Sequence, residues 1–366
     1  MKRRRFLHLS TLLPFAATVS RSAFARQTTT VPHWRNFELT TQVEIAEPAG
    51  QTQLWLPVPL ANAGDYQRRS DLRWSAPGAH VALAKIPGYD VELLHVQWAD
   101  AESVRPVQLV ATISTCDRRT THDAASRVNS DISASTAQTY LQPTRYLPTD
   151  GIVAETAERI TRNHDGDIEK ARALYNWVVE NTSRDAKTRG CGTGDVGSML
   201  AFGNLGGKCA DINGLFVALA RAAKIPARDA YGIRVADSNL GYRCLGKSGD
   251  VSKAQHCRAE FYAKGRGWIA VDPADVRKVM LEEVAGGLPA DDPKVVSARA
   301  LLFGSWEMNW IAYNHGHDVA LPGSTRAAVP FLMYPNGETR NGRLDSLDPA
   351  TFKYSISSRE VEGLTG

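Results

Sequence analysis

Residues 37–45 alternate without a break. Phe37, Leu39, Thr41, Val43 and Ile45 are separated by Glu38, Thr40, Gln42 and Glu44, the period of two that marks a half-buried strand. Val107, Leu109, Ala111 and Ile113 repeat the pattern. Leu54-Trp55-Leu56-Pro57-Val58-Pro59 predicts an edge strand ended by its prolines. Short strands separated by turn residues predict a small β-sandwich-like domain over 34–118. It is expected to serve as scaffold or substrate-side wall, with the chemistry elsewhere.

The period then changes. Residues 119–150 are polar, then rich in Pro and Tyr (Pro143, Tyr146, Pro148), and read as a surface linker. Asp150 can cap a helix with Val153, Ala157 and Ile160 on one face. Asp167 can cap a second, with Ile168, Ala171, Leu174, Tyr175, Val178 and Val179 inward. A third, amphipathic helix opens at Cys209 and carries Leu215, Phe216, Leu219, Ala220, Ala222 and Ala223. A strand over Gln255–Tyr262, glycines at 265 and 267, and a returning strand closed by Pro273 form a hairpin. Helices followed by strands give an α+β core over 151–285. Thr188 to Gly197 holds four glycines and reads as a loop, either a flap near Cys209 or a plain exposed connection. Residues 286–366 are an aromatic-rich, β-rich C-terminal extension. Trp306, Trp310, Tyr313, Phe331, Tyr334, Phe352 and Tyr354 either line a groove there or pack a core. No internal repeat is visible.

Three residues carry candidate chemistry. Cys209 follows Gly206-Gly207-Lys208 and starts a helix, where unpaired N–H groups and the helix dipole favour thiolate over thiol. In the hairpin, His256 falls opposite a residue close to Asp272. A carboxylate there would orient the imidazole and stabilise its cation, completing a nucleophile–base–orienter set. The predicted roles are Cys209 nucleophile, His256 base and Asp272 orienter, with the Cys209 N–H in an oxyanion hole and its second donor open. No cofactor motif is present. A zinc site from Cys209, Cys244, His256 and Cys257 lacks a C-x₂-C pair, and Asn314-His315-Gly316-His317-Asp318 reads as a turn before a metal loop.

Gly207-Lys208-Cys209-Ala210-Asp211, Leu219 to Arg228, His256 to Glu260, Gly267-Trp268 and Asp272-Pro273 together resemble the transglutaminase-like superfamily. The resemblance covers roughly 150–285. It implies a papain-like Cys-His-Asp core that transfers acyl groups from amides, in hydrolysis, deamidation or amine transfer. Two positions depart from it. Arg258 stands where many members have an aromatic, and Ala210 stands where animal cross-linking members have Trp. The second departure points away from cross-linking and toward the bacterial protease-like branch.

The N-terminus adds a compartment. Lys2-Arg3-Arg4-Arg5-Phe6-Leu7, an apolar run and Ala23-Phe24-Ala25 predict an export signal over 1–25, of twin-arginine type or an ordinary secretory signal with extra arginines. The run is too short to span a bilayer. Its five bases and no acids leave 38 bases against 39 acids in the remainder, so charge gives no support for nucleic-acid binding. The expected setting is the periplasm, and the expected partner a peptide or protein of the envelope, peptidoglycan peptides included. Five cysteines leave at least one unpaired, and Cys244–Cys257 or Cys191–Cys244 bridges stay open. A non-catalytic binding module on the same fold is the alternative to an enzyme. A thiol-redox role lacks its C-x-x-C.

Overall fold

A computed structural model describes residues 33–101, 106–120 and 131–362. The expected export segment lies outside them. The strands longer than two residues are β1 (Arg35–Ile45), β2 (Gly50–Pro57), β3 (Gln67–Ser75), β4 (His80–Ile86), β5 (Val91–Ala101), β6 (Val107–Thr115), β7 (Ala227–Arg234), β8 (Gln255–Ala263), β9 (Gly267–Val271), β10 (Trp310–Asn314), β11 (Asn336–Thr339) and β12 (Phe352–Val361). The helices are α1 (Ala134–Thr139), α2 (Gly151–Thr161), α3 (Asp167–Asn181), α4 (Val196–Ala201), α5 (Cys209–Ala222), α6 (Pro273–Glu282) and α7 (Pro293–Leu301).

Strand β1 buries Phe37, Leu39, Thr41, Val43 and Ile45 and turns Gln42 and Glu44 to solvent, as its alternation predicts. It lies at the middle of a sheet ordered Gly249–Asp250, β12, β1, β6, β3. A second sheet runs Gly342–Arg343, β11, β2, β5, β4. Val43, Leu109 and Phe352 of the first pack on Leu54, Leu56, Leu94 and Val96 of the second, the two-layer packing of a sandwich. The Leu54–Pro59 segment is therefore central and not an edge strand. The reason is β11, which pairs Asn336 with Trp55 and Glu338 with Gln53 and covers the side left free by β5.

The antiparallel third sheet, β9-β8-β7-β10, is the floor of the α+β core. Ile233, Ile311 and Tyr313 pack on Phe37, Leu39 and Ile113 of the first sheet. Helices α2, α3, α5 and α6 join Cys257, Ala259 and Phe261 of β8 in the largest cluster. The sequence divide at 285 is crossed repeatedly. Strand β12 pairs with β1 from Phe352↔Ile45 to Val361↔Asn36, and β10 completes the core sheet beside β7. Each late strand closes an edge that would otherwise present unpaired N–H and C=O groups.

Helix α5 differs from the amphipathic expectation. Every residue from Cys209 to Arg221 is buried, as befits a helix enclosed by others. Its polar members have partners. Arg221 donates to the carbonyls of Ala227 (2.8 Å) and Gln142 (3.0 Å), and Asn213 and Asp211 bond toward the site. Asp150 stands at the N-cap of α2 without a side-chain bond, whereas Gly166 is the N-cap of α3 and Asp167 its first residue. The linker holds α1, capped by Ser133.

Candidate active site

The glycine-rich loop and the start of α5 are built around one carboxylate. Lys208 is the N-cap, and its backbone N–H donates to Asp211 Oδ2 at 2.9 Å. The N–H groups of Thr193 and Gly194 donate to Asp211 Oδ1 at 3.0 and 2.9 Å. Ala210 N–H donates to the Cys191 carbonyl at 2.9 Å. The glycines make this clamp sterically feasible. A Cβ on Gly192, at φ +90°, would fall 1.8 Å from Asp211 Oδ2, and one on Gly207 would fall 2.5 Å from Asp211 Cβ. The loop over 188–197 is thus tied to the first turn of α5, so the plain exposed reading does not hold. Cys209 is the first helical residue, and its own N–H has no intrahelical acceptor.

His256 stands on β8. The β8–β9 register pairs Ala259 with Val271, so Asp272 continues opposite Arg258, with His256 diagonal to it on the same face. That offset suffices: His256 Nε2 lies 2.8 Å from Asp272 Oδ2. Asp272 has a second task as the N-cap of α6, accepting from the Asp275 N–H at 3.0 Å. Asn213 fixes the same carboxylate by donating to Oδ1 at 3.2 Å, and its own oxygen accepts from Ala274 N–H.

Several members of the site escaped sequence reading. Asp275 Oδ1 is 3.3 Å from His256 Nε2 and 2.6 Å from Arg234 Nη2. Arg258 places its guanidinium over Trp310 at 4.9 Å, with Nε 3.6 Å from Asp272, so a cation on an aromatic ring replaces the aromatic side chain of other members. Cys191 Sγ lies 3.3 Å from the Gln255 carbonyl, and Cys191 and Cys257 both neighbour the Cys209 sulfur. The one sequence sign of the carboxylate pair was Asp272-Pro273-Ala274-Asp275, whose N-cap and third helical position put both acids at one helix start.

The electrostatics follow from these contacts. The Cys209 thiol is held well below its ordinary range by hydrogen bonds from Cys191 and Cys257, joined by the bond and charge of His256, against opposition from burial. Burial works to lower His256, yet the charges of Asp275 and Asp272 leave it raised. Cys191 is pushed up, first by its bond to Cys209, and Cys257 chiefly by burial. Asp272 is raised by burial and by the charge of Asp275, while the Arg234 and His256 charges hold Asp275 low despite its burial. A lowered thiol beside a raised imidazole is the signature of a thiolate–imidazolium pair.

Cys209, Cys191, Gln255 and His256 line a cavity of about 790 Å³. Its other walls include Tyr334, Leu347, Phe352 and Tyr354. The late aromatics thus divide: Tyr334 and Tyr354 line the cavity half-buried, whereas Trp306, Trp310, Tyr313 and Phe352 are packed in the core. Among the described residues, the ligand-type atoms of His256, Asp272 and Asp275 lie within 4.8 Å of one another. Arg234 and Arg258 already supply the positive charge these carboxylates require, so the set fits a proton-holding network better than a cation cage. All five cysteines are free thiols, so the Cys244–Cys257 and Cys191–Cys244 bridges are not formed. Cys244 instead directs its N–H at Glu283 (3.1 Å), outside the Cys209–His256 group. His315 faces Glu260 and Asp90, and His317 faces Asp229, each buried away from the cavity.

Residues 154–273 match the core of the transglutaminase-like superfamily. A protein of Haemophilus influenzae, named only as uncharacterized, is 34% identical over 371 residues, covering 96% of this chain and 99% of its own. Two solved structures are similar. One is a chain from Cytophaga hutchinsonii named provisionally as a cysteine protease (17% identity, 89% of this chain and 98% of that one, TM-score 0.48). The other is the periplasmic domain of TgpA from Pseudomonas aeruginosa (17% identity, 66% and 81%, TM-score 0.35). The chain belongs to the transglutaminase-like superfamily, and its kinship with the Haemophilus influenzae protein runs over nearly its whole length.

Proposed function

We propose that this protein is a cysteine-dependent enzyme that hydrolyses peptide amides through an acyl-thioester, working in the bacterial envelope after export. The observation that carries the reading is the lowered Cys209 thiol beside a raised His256 that Asp272 holds at 2.8 Å. The Cys209 thiolate attacks the amide carbonyl carbon, forming a C–S bond. The negative charge on oxygen is met by the Cys209 N–H, the unpaired donor at the helix start. Ala210 N–H is committed to Cys191 and does not serve there. As the C–N bond breaks, His256 gives its proton to the leaving amine. A water then gives a proton back to His256 and its oxygen displaces the sulfur, releasing a carboxylic acid and restoring the thiolate. Asp272 keeps the imidazole aligned throughout.

Hydrolysis is favoured over amine transfer by Ala210, which stands where cross-linking members carry Trp, and by a cavity open to water above Cys209. The basic N-terminal segment supports an exported setting. No helix among the described residues is long and apolar enough to cross a membrane.

The test is the pH dependence of iodoacetamide labelling at Cys209, read by mass spectrometry, with His256→Ala alongside. Rapid labelling well below the ordinary thiol range, lost in the His256 variant, is the expected result. A normal thiol profile in both proteins would overturn the reading and favour a binding module.

A further inference from the structure

The lining of the cavity is uneven in charge. Seven of its residues are lysine or arginine, and Asp250 is its one acid. Four of the cations have carboxylate partners. Arg184 and Lys278 share Glu282, Arg189 pairs with Asp345, and Arg234 pairs with Asp275. Lys208, Lys247 and Lys253 form no ion pair among the described residues. Lys247 and Lys253 do act on Asp250, whose carboxyl is lowered first by Ser252 hydrogen bonds and then by these two charges. Setting the four acids against the seven bases leaves an excess of three positive charges at the mouth of the site. The chain beyond residue 25 carries 38 bases and 39 acids, so the excess is a property of the groove and not of the molecule.

Position sharpens the point. Lys208 immediately precedes Cys209, and Lys253 lies three residues before His256. Lys208 thus adjoins the nucleophile in sequence, and Lys253 precedes the strand that carries the base. Leu347 and Tyr354 add apolar surface to the same cavity.

We infer that the groove selects an acidic peptide: an acyl donor with carboxylate side chains on residues flanking the cleaved amide. This rests on the proposal that Cys209 is the nucleophile, because that fixes where the peptide lies. Single exposed lysines contribute little. Several of one sign around a concave cleft focus the field and raise the local concentration of an anion by about ten- to a thousandfold.

The test uses the protein carrying Cys209→Ala, which leaves the groove and removes turnover. Dansyl-labelled Ala-Glu-Ala-Glu-Ala amide and its Gln counterpart are titrated by fluorescence anisotropy at low and high salt. The Glu peptide is expected to bind about tenfold more tightly at low ionic strength, with the difference fading as salt screens it. Adding Lys208→Gln, Lys247→Gln and Lys253→Gln together should abolish the preference. Lys264→Gln, exposed on the β8–β9 turn, should leave it intact. Equal binding of the two peptides, or a preference untouched by the triple variant, overturns the inference. Iodoacetamide labelling of the unmutated protein separates the two levels. Reactive Cys209 without peptide preference removes the specificity and keeps the chemistry. Peptide preference with an inert Cys209 does the reverse.

Discussion

Arg234 grips Asp275 through a 2.6 Å ion pair in which both side chains are buried, and the same carboxylate oxygen lies 3.3 Å from His256 Nε2. His256 therefore faces two carboxylates, Asp272 at 2.8 Å and Asp275 beyond it. Replacing Asp275 by Asn should make the imidazolium harder to hold, because one of the charges that raise His256 is gone. Iodoacetamide labelling of Cys209 should then require higher pH than in the parent. Stability should fall by about 3–5 kcal/mol, since Arg234 is left charged and buried without its partner. An Asp275→Asn protein with an unchanged labelling profile would reduce Asp275 to a purely structural ion pair.

Asp211 accepts three backbone N–H groups from Thr193, Gly194 and Lys208. Asp211→Ala strands all three and should cost about 2–3 kcal/mol in urea unfolding. Its more telling effect is on Cys209, whose position depends on the same turn. Labelling should slow severalfold even where the protein remains folded. Gly192→Ala should act alike by forcing its Cβ into the Asp211 carboxylate. Normal Cys209 reactivity in both variants would show that the loop does not position the sulfur.

The site was legible where one element carries it. Cys209 at a helix start and His256 and Asp272 on one hairpin are local patterns, and the structure brings all three together. The carboxylate pair was less so, since nothing in the spacing shows that Arg234, from a different strand, neutralises Asp275. The Asp211 clamp was hidden because its donors, the Gly194 and Thr193 N–H groups, lie 17 and 18 residues back. The alternation of β1 gave its buried face correctly. The central place of β2 was not readable, because it depends on Asn336–Thr339, nearly three hundred residues later. The burial of α5 on all sides was likewise set by partners, and its own periodicity suggested one exposed face.

Glu260 is fully buried between two arginines, with Arg118 Nη1 at 2.5 Å and Arg228 Nε at 2.6 Å. Arg118 in turn lies over Tyr66 and Trp306, and Arg228 over Trp268. Glu260→Gln removes the charge that both guanidinium groups need and should cost about 3–5 kcal/mol. The arginines hold the Glu260 carboxyl well below its usual value in spite of burial. The stabilisation it contributes is present above the ordinary Glu range and is lost only as pH falls through the lowered folded value. A melting curve of Glu260→Gln should accordingly lie below the parent at neutral pH and converge toward it in strong acid. Parallel curves across that range would argue against the ion pair as the source.

Asp229 presents the opposite case. It is buried on β7, neither carboxylate oxygen has a hydrogen-bond partner, and His317 Nε2 lies 3.3 Å from Oδ2. Burial lifts its carboxyl to about 8, with Arg221 only partly offsetting that rise. His317 is itself held neutral by burial, well below its ordinary range, so it brings no charge to pair with the acid. The folded value thus lies above the unfolded one, near 4. Between those two values the folded chain keeps a proton that the unfolded chain releases, so stability must decline as pH rises through this window. Asn resembles the protonated acid in shape and lacks the charge. Asp229→Asn should match the parent in melting temperature near pH 4 and exceed it increasingly toward pH 8. The upper limit is about 1.4 kcal/mol for each pH unit, lessened wherever Arg221 or entering water stabilises the carboxylate. Calorimetric melting of the two proteins at several pH values measures the divergence. A constant gap between the curves would mean that Asp229 is ionised throughout, with Arg221 as its effective counter-ion.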